Sequence, residues 1–242
     1  MSSSHVDDTI IYARSRCPEQ WERAILLIDK PAGWTSFDVI RFLKPRIPAR
    51  KLGHAGTLDP MATGLLIVLL GRATREMNRF MELPKVYTGT MRLGEVTPSY
   101  DAETPVIERK EWTHITSEDL ERTRQLFQGP IEQIPPMYSA VKVKGERLYK
   151  KARRGEEIAR KPRKVHIYSF ELLEQQGADV SFRVICSKGT YIRSLAHDFG
   201  QHLGVGAHLV ALRREAIGPY RVEQAWTPQE FVAQCLSEKE IL

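Results

Sequence analysis

The chain has 242 residues with 42% hydrophobic and 27% charged side chains, a composition typical of globular proteins that argues against disorder and against a fibrous chain. No apolar run approaches the ~20 residues that a membrane-spanning helix needs, and the N-terminus lacks the apolar stretch of a secretion signal. The chain is therefore expected to be a soluble, cytoplasmic protein with no membrane partner. Its formal net charge of +6 makes polyanions plausible partners.

Residues 1–23 are polar and unpatterned, which predicts a flexible N-terminal arm. After the arm, apolar runs alternate with turn signals, and Thr35-Ser-Phe-Asp38 has the pattern of a helix capping box. The elements predicted in this half are a strand at 24–28, a helix through Leu43, a glycine-rich loop at 51–64, a strand at 65–70 and a helix at 73–82.

The rest of the chain mixes strands and helices in the same way, and no Gly/Ser linker or repeat divides it. The elements predicted here are a strand at 86–93, a helix at 116–127, an irregular stretch from 134, strands at 165–173 and 180–186, a helix at 191–203, a strand at 208–216 and a helix opened by Thr227-Pro228. This order predicts one mixed α/β (α+β) domain over residues 24–242 with a basic insertion at about 135–164.

The three cysteines, Cys17, Cys186 and Cys235, are far apart and form no Cys-x-x-Cys pair. An odd number at such spacing predicts reduced thiols and argues against a disulfide framework or structural zinc.

Positive charge is concentrated in two stretches. Residues 142–164 contain eleven basic and three acidic residues, and residues 41–51 contain five basic and no acidic ones. Concentrated positive charge is what contact with a nucleic-acid backbone requires. Either stretch alone is equally typical of a solvated surface, but together they favour nucleic acid.

The most informative loop lies between Gly53 and Gly64. Its glycines allow backbone conformations that other residues avoid, and Asp59 stands between Leu58 and Pro60 just before a buried strand. Such an aspartate is either a turn residue or a carboxylate held in place for chemistry. The loop has no Gly-Lys-Ser/Thr ending, so it is not a phosphate-binding P-loop.

Several motifs together resemble one enzyme family. They occur in the family's order over residues 24–220 and comprise Leu26–Asp38, Gly53–Gly64, Lys85–Gly94, Pro135–Lys142, Gly189–Asp198 and Ala211–Arg214. The chain resembles the TruB family of pseudouridine synthases, which modify uridine 55 in the T loop of transfer RNA. The resemblance implies a pseudouridine synthase fold, in which helices flank a central mixed or antiparallel sheet and a basic insertion forms an RNA-binding thumb.

The resemblance also implies the catalytic residues. Asp59 matches the family's nucleophile, so that neither a metal nor an organic cofactor is needed. Arg193 would pair with Asp59, lower its pKa and fix its direction. Tyr87 would stack on the everted uracil. Whether the first adduct forms at the ribose or at the base is left open.

Other matched residues are implied to bind substrate. His54 would contact the RNA, Tyr191 and Leu212 would line the base pocket, and Lys30 would support the active-site loop. The charge of the thumb predicts RNA contacts by Lys142, Lys144, Arg147, Lys150, Arg153 and Arg154.

Only about 20 residues follow Tyr220, fewer than the ~70 to 80 of the PUA domain, an RNA-binding domain that many family members carry at the C-terminus. The expectation is a short form without a PUA domain, a monomer that acts on the T arm of tRNA without an obligatory protein partner or guide RNA.

Two other functions compete with this interpretation. A non-catalytic RNA-binding or tRNA-folding module is disfavoured because Asp59, Tyr87 and Arg193 are all present. An unrelated hydrolase is disfavoured because Gly-x-Ser-x-Gly, His-Glu-x-x-His and Walker motifs are missing. His197 and His202 are five residues apart, which is not the spacing of two metal ligands on one helix face.

Overall fold

The computed structural model describes residues 10–14, 16–139, 142–143 and 145–236. The chain forms two compact units: the first comprises residues up to Lys85 and from Arg213 onward, and the second comprises Val86–Leu212. The single domain over 24–242 stays a prediction.

Strands and helices alternate in a mixed α/β order. The strands are β1 (Ile10–Tyr12), β2 (Arg23–Lys30), β3 (Leu52–Ala55), β4 (Thr63–Gly71), β5 (Lys85–Leu93), β6 (Glu95–Val96), β7 (Glu108–Arg109), β8 (Gly129–Gln133), β9 (Lys142–Val143), β10 (Glu146–Arg147), β11 (Arg163–Gln176), β12 (Asp179–Cys186), β13 (Ala207–Ile217) and β14 (Tyr220–Arg221). The α-helices are α1 (Ser36–Leu43), α2 (Met77–Glu82), α3 (Ser117–Leu126), α4 (Leu148–Arg153), α5 (Ile192–His202) and α6 (Pro228–Cys235). None of the helices in the described ranges is long and apolar enough to cross a membrane.

The first unit is a mixed sheet with both faces covered. Its strands run in the order β1, β2, β4 and β13, where β1–β2 and β4–β13 are parallel and β2–β4 is antiparallel. One face of β2 and β4 packs on α1 and α6, and the other packs on Phe80 and Ile217. Because both faces are buried, these strands are continuous apolar runs rather than alternating ones.

The second unit pairs one sheet face with helices. Its strands follow the order β5, β12, β11 and β8, and β12 alternates between buried and half-buried residues. The buried ring of Phe170 contacts Phe182 and Phe199 edge-on, which joins the sheet to α5. The mixed α/β fold with a mixed sheet flanked by helices is thus confirmed.

Local signals that are complete within a few residues were predicted correctly. Thr35 and Asp38 cap α1 reciprocally, and Thr227 caps α6 with Pro228 in its first turn. The predicted helix at 73–82 is instead a 3-10 turn over Arg72–Glu76 followed by α2. Several short strands were not predicted. Among them, β3 and β8 carry glycine or proline and are held by pairing with β4 and β11.

The N-terminal segment corrects two expectations. Residues 10–12 are part of the predicted flexible arm, but they add a parallel strand to β2 and bury Tyr12 completely. The expectation of reduced thiols is wrong for two cysteines, since Cys17 and Cys235 form a disulfide across 218 residues of sequence. Cys186 is buried and is not part of this disulfide. Sequence spacing could not predict the disulfide, because only the packing of the N-terminal segment against α6 brings the two thiols together.

Candidate active site

Asp59 lies half-buried on the loop between β3 and β4 in the first unit. Gly56 opens the loop and Gly64 is the second residue of β4; both have left-handed φ values, of 84° and 105°. Beside Asp59, the backbone N–H of Leu58 donates to the hydroxyl of Ser36 at 2.8 Å, and the carbonyl of Asp59 accepts from Ala62 at 3.1 Å. The loop therefore holds Asp59 through neighbours on both sides.

Lys30 ties this loop to the segment after β2. It is fully buried, and its Nζ donates to the carbonyl oxygens of Pro31 at 2.8 Å, Trp34 at 2.6 Å and Pro60 at 3.3 Å. Burial lowers the pKa of Lys30 to about 8, while the carboxylate of Asp59 raises it. A buried cation with three carbonyl partners close to Asp59 fixes both segments against each other.

Arg214 holds the two ends of the Asp59 loop, a role that no pattern in the sequence indicates. Its side chain is 1% exposed; Nη2 donates to the carbonyl of Gly56 at 3.0 Å and Nε to that of Leu65 at 2.7 Å. Gly64 pairs with Arg214 so closely that an added Cβ would lie 2.3 Å from the Arg214 carbonyl oxygen. The charge pattern of the Ala211–Arg214 motif is visible in the sequence, but which arginine is buried depends on the pairing of β13 with β4.

His54 lies on β3 and is half-buried. Burial lowers the pKa of its imidazole, and the charge of Arg214 lowers it further, so the ring is neutral at pH 7. Its Nδ1 has no hydrogen-bond partner among the described residues.

Arg193 is a buried residue of α5 in the second unit, with 4% exposure. It donates to the carbonyls of Ser99 at 3.1 Å and Tyr138 at 2.8 Å, and it forms an ion pair with Asp101 at 3.4 Å. Asp101 is fully buried and accepts from the hydroxyl of Ser99 and from the N–H of Glu103. The guanidinium therefore has a fixed orientation, and Asp101 is a residue that sequence reasoning missed. The predicted pair of Arg193 with Asp59 joins residues of different units and stays a prediction.

The other aromatic and apolar candidates also belong to the second unit. Tyr87 on β5 and Leu212 on β13 are each 8% exposed. Tyr191 precedes α5, and the buried amide of Gln133 binds both of its backbone groups: it accepts from the N–H at 3.0 Å and donates to the carbonyl at 3.2 Å. Gln133 was also missed, because nothing in sequence links it to a residue 58 positions away.

The basic insertion folds around its own acidic residues. Arg154 forms two hydrogen bonds with Glu146, at 2.7 and 2.9 Å, and one with Glu156 at 2.7 Å. The hydrogen bonds from Arg154 lower the pKa of Glu146 to about 2. Lys144 lies outside the described residues, as do the side chains of Lys142, Arg147, Lys150 and Arg153.

No group of three or more His, Cys, Asp or Glu side chains that could hold a metal ion occurs in the described part of the chain.

Two protein-family models match consecutive parts of the chain. A model of the TruB family pseudouridylate synthase N-terminal domain matches residues 44–192, and a model of the tRNA pseudouridylate synthase B C-terminal domain matches residues 193–241. The fold is therefore that of a pseudouridylate synthase. The chain belongs to the TruB family.

Relatives agree with this assignment. The chain is 47% identical to tRNA pseudouridine synthase B of Thermobifida fusca, over 87% of this chain and 74% of that protein. It is 45% identical to the protein of the same name from Parabacteroides distasonis, over 86% of this chain and 91% of that protein. Among solved structures, a Cbf5-Nop10-Gar1 complex matches with a TM-score of 0.69 and 31% identity over 95% of this chain. The chain spans 62% of the length of that solved chain.

Proposed function

We propose that this protein converts uridine 55 in the T loop of tRNA into pseudouridine, with Asp59 as the nucleophile. The observation that carries the proposal is the loop of Asp59, whose ends are fixed by Arg214 and whose middle is fixed by Lys30 and Ser36. A carboxylate that must attack a nucleoside needs a fixed direction, and this loop supplies it. The relatives named tRNA pseudouridine synthase B support tRNA as the substrate.

The reaction is an isomerisation in which atoms balance within the nucleoside. The bond between C1′ and N1 of the uracil breaks, the base turns, and a bond forms between C1′ and C5. The proton on C5 leaves, and N1 gains a proton. The carboxylate of Asp59 forms a transient adduct, either at the ribose or at the base, and is released at the end.

A uridine inside a folded loop must leave its stack before Asp59 can reach it. Such flipping costs a few kcal/mol, which stacking on apolar and aromatic side chains offsets. In this proposal Tyr87 stacks on the uracil, and Tyr191 and Leu212 line the pocket. The buried amide of Gln133 holds the backbone of Tyr191 and so positions its ring.

Arg193 is proposed to stabilise the ionised form of Asp59. Its own orientation is supplied by Asp101 and by the carbonyls of Ser99 and Tyr138. A guanidinium whose direction is fixed beforehand stabilises an anion without reorganising during the reaction. His54 is neutral at pH 7, so its proposed contact with RNA is a hydrogen bond rather than an ion pair.

The basic insertion is proposed to bind the T arm through Lys142, Lys144, Arg147, Lys150, Arg153 and Arg154. Arg154 already binds two carboxylates, so we expect it to shape the insertion as well as to face phosphate. The protein is proposed to act as a monomer without a guide RNA. Purified chain alone should therefore be active.

Tritium release from tRNA labelled at C5 of uridine tests this function. Wild type should release tritium from intact tRNA, and should release none when the T-loop uridine 55 is replaced. Asp59→Asn should abolish release while RNA binding persists, because the amide keeps the shape but is not a nucleophile. Asp179→Asn is a matched control, since Asp179 pairs with Arg92 across β5 and β12 and has no proposed role in the reaction. If wild type bound tRNA but released no tritium, the proposed enzyme function would be wrong, and a non-catalytic RNA-binding or tRNA-folding module would take its place.

A further inference from the structure

Phe37 exposes an aromatic ring that the fold does not use. It lies in the first turn of α1, and its side chain is 65% exposed, whereas Val39, Ile40 and Leu43 of the same helix are buried. A large apolar side chain gains free energy when a partner removes it from water. A single exposed ring is common on protein surfaces, so the position of Phe37 must identify the partner.

The position of Phe37 is special because its segment is bonded to the loop of Asp59. The hydroxyl of Ser36, the preceding residue, accepts from the N–H of Leu58 at 2.8 Å and donates to its carbonyl at 3.3 Å. The N–H of Gly33 donates to the carbonyl of Pro60 at 2.8 Å. Both neighbours of Asp59 are thus bonded to the segment that ends in Phe37.

A cation lies on the same helix face as the ring. Arg41 is four residues after Phe37, which places the two side chains one turn apart on one side of α1. Arg41 is 74% exposed and pairs with Asp38 at 2.8 Å, an exposed pair of the kind that contributes little and yields readily to another anion. An exposed ring beside an exposed guanidinium matches the base and the phosphate of one unpaired nucleotide.

We propose that Phe37 and Arg41 form a contact for unpaired RNA next to the target uridine, in which Phe37 stacks on a base and Arg41 binds a backbone phosphate. The inference rests on the proposed function, because it takes RNA as the substrate of the Asp59 loop. It adds two binding residues, which the sequence motifs and the basic stretches did not identify as a pair.

Helix α3 provides a matched control. Like α1, it begins with a capping box, formed by Thr116 and Asp119. It also has an exposed ion pair between residues three apart, Asp119 and Arg122, as α1 has between Asp38 and Arg41. Arg122 is 75% exposed, almost the same as Arg41, but Glu118 occupies the position that corresponds to Phe37. Leu126, with 61% exposure, is an exposed apolar control.

The test measures binding and turnover of a T-arm stem–loop RNA. Phe37→Ala, Phe37→Trp, Arg41→Gln, Arg122→Gln and Leu126→Ala are compared for Kd, for KM and kcat in tritium release, and for thermal midpoint. A second series in the Asp59→Asn background carries 2-aminopurine at each unpaired loop position, one position per RNA, so that stacking is seen as fluorescence quenching.

Phe37→Ala should weaken Kd and raise KM about tenfold, with a smaller change in kcat, because one stacked base is lost. Phe37→Trp should restore binding, and quenching at one loop position should require an aromatic residue at 37. Arg41→Gln should lower the salt slope of binding by about 1, while both control variants match wild type. The inference would be overturned if Phe37→Ala bound RNA as tightly as Leu126→Ala, or if the quenching did not depend on residue 37. In either case, tritium release by wild type would leave the proposed function standing. If wild type neither binds nor releases tritium, the proposed function and this contact both fall.

Discussion

Replacing Arg214 by Met removes both donors that hold the ends of the Asp59 loop while keeping a long apolar stem in place. The carbonyls of Gly56 and Leu65 then lose their guanidinium partners in a site that is 1% exposed. Hydrogen bonds to a charged group contribute roughly 1.5 to 3 kcal/mol each, and relief from burying the cation offsets part of the two. We expect a loss of about 3 kcal/mol in the free energy of unfolding.

Urea denaturation followed by circular dichroism measures this loss, and Arg213→Met is its control. Arg213 is the preceding residue on β13, but its pair with Asp29 is partly exposed, with 38% and 23% of the two side chains accessible. Such a pair contributes less than about 1 kcal/mol. Arg214→Lys should recover part of the stability, because an ammonium keeps the charge but cannot reproduce both bonds of the fork. Equal losses for Arg214→Met and Arg213→Met would refute the reasoning.

The remaining predictions concern backbone space, cross-linking and protonation. Gly64→Ala should lower the free energy of unfolding, measured by urea denaturation, several times more than Gly177→Ala does. Both glycines have positive φ, but of the two only Gly64 would place the new Cβ against backbone, 2.3 Å from the Arg214 oxygen. Equal losses would contradict the close approach of β4 and β13. Cys17→Ser should lower the free energy of unfolding by up to about 5 kcal/mol, the chain-entropy value for a loop of this size. A reducing agent should lower the stability of wild type to that of the variant and leave the variant unchanged. A wild type whose stability does not respond to reduction would be inconsistent with the disulfide. Burial raises the pKa of Asp198 from 3.8 to about 6, so the folded chain binds this proton more tightly and stability is lost as pH rises from about 4 to 6. Asp198→Asn should remove that loss, with a stabilising difference from wild type that is small at pH 3.5, develops up to pH 6 and persists at pH 7; a difference independent of pH would contradict the assignment.

The amino-acid sequence by itself determined the elements whose signals lie within a few residues. The apolar runs of β2 and β4 are long enough to identify buried strands, and Thr35 with Asp38 specifies where α1 begins. The sequence also identified the glycine-rich loop of Asp59. Gly56 and Gly64 have positive φ, a conformation that favours glycine, so the glycines on either side of Asp59 are recognisable in the sequence.

Only the tertiary structure decided which distant residues meet. Arg214 is a buried clamp and Arg213 a half-exposed neighbour because β13 pairs with β4 in one register, and adjacent strand residues point to opposite faces. Asp101 and Gln133 acquire their roles from contacts with α5 and Tyr191 that lie 58 or more residues away in sequence. The disulfide of Cys17 and Cys235 has the same origin, since β1 and α6 must both be packed on the first unit before their thiols can join. Local patterns report backbone preference and burial, whereas these contacts depend on register and packing, which no short stretch of sequence contains.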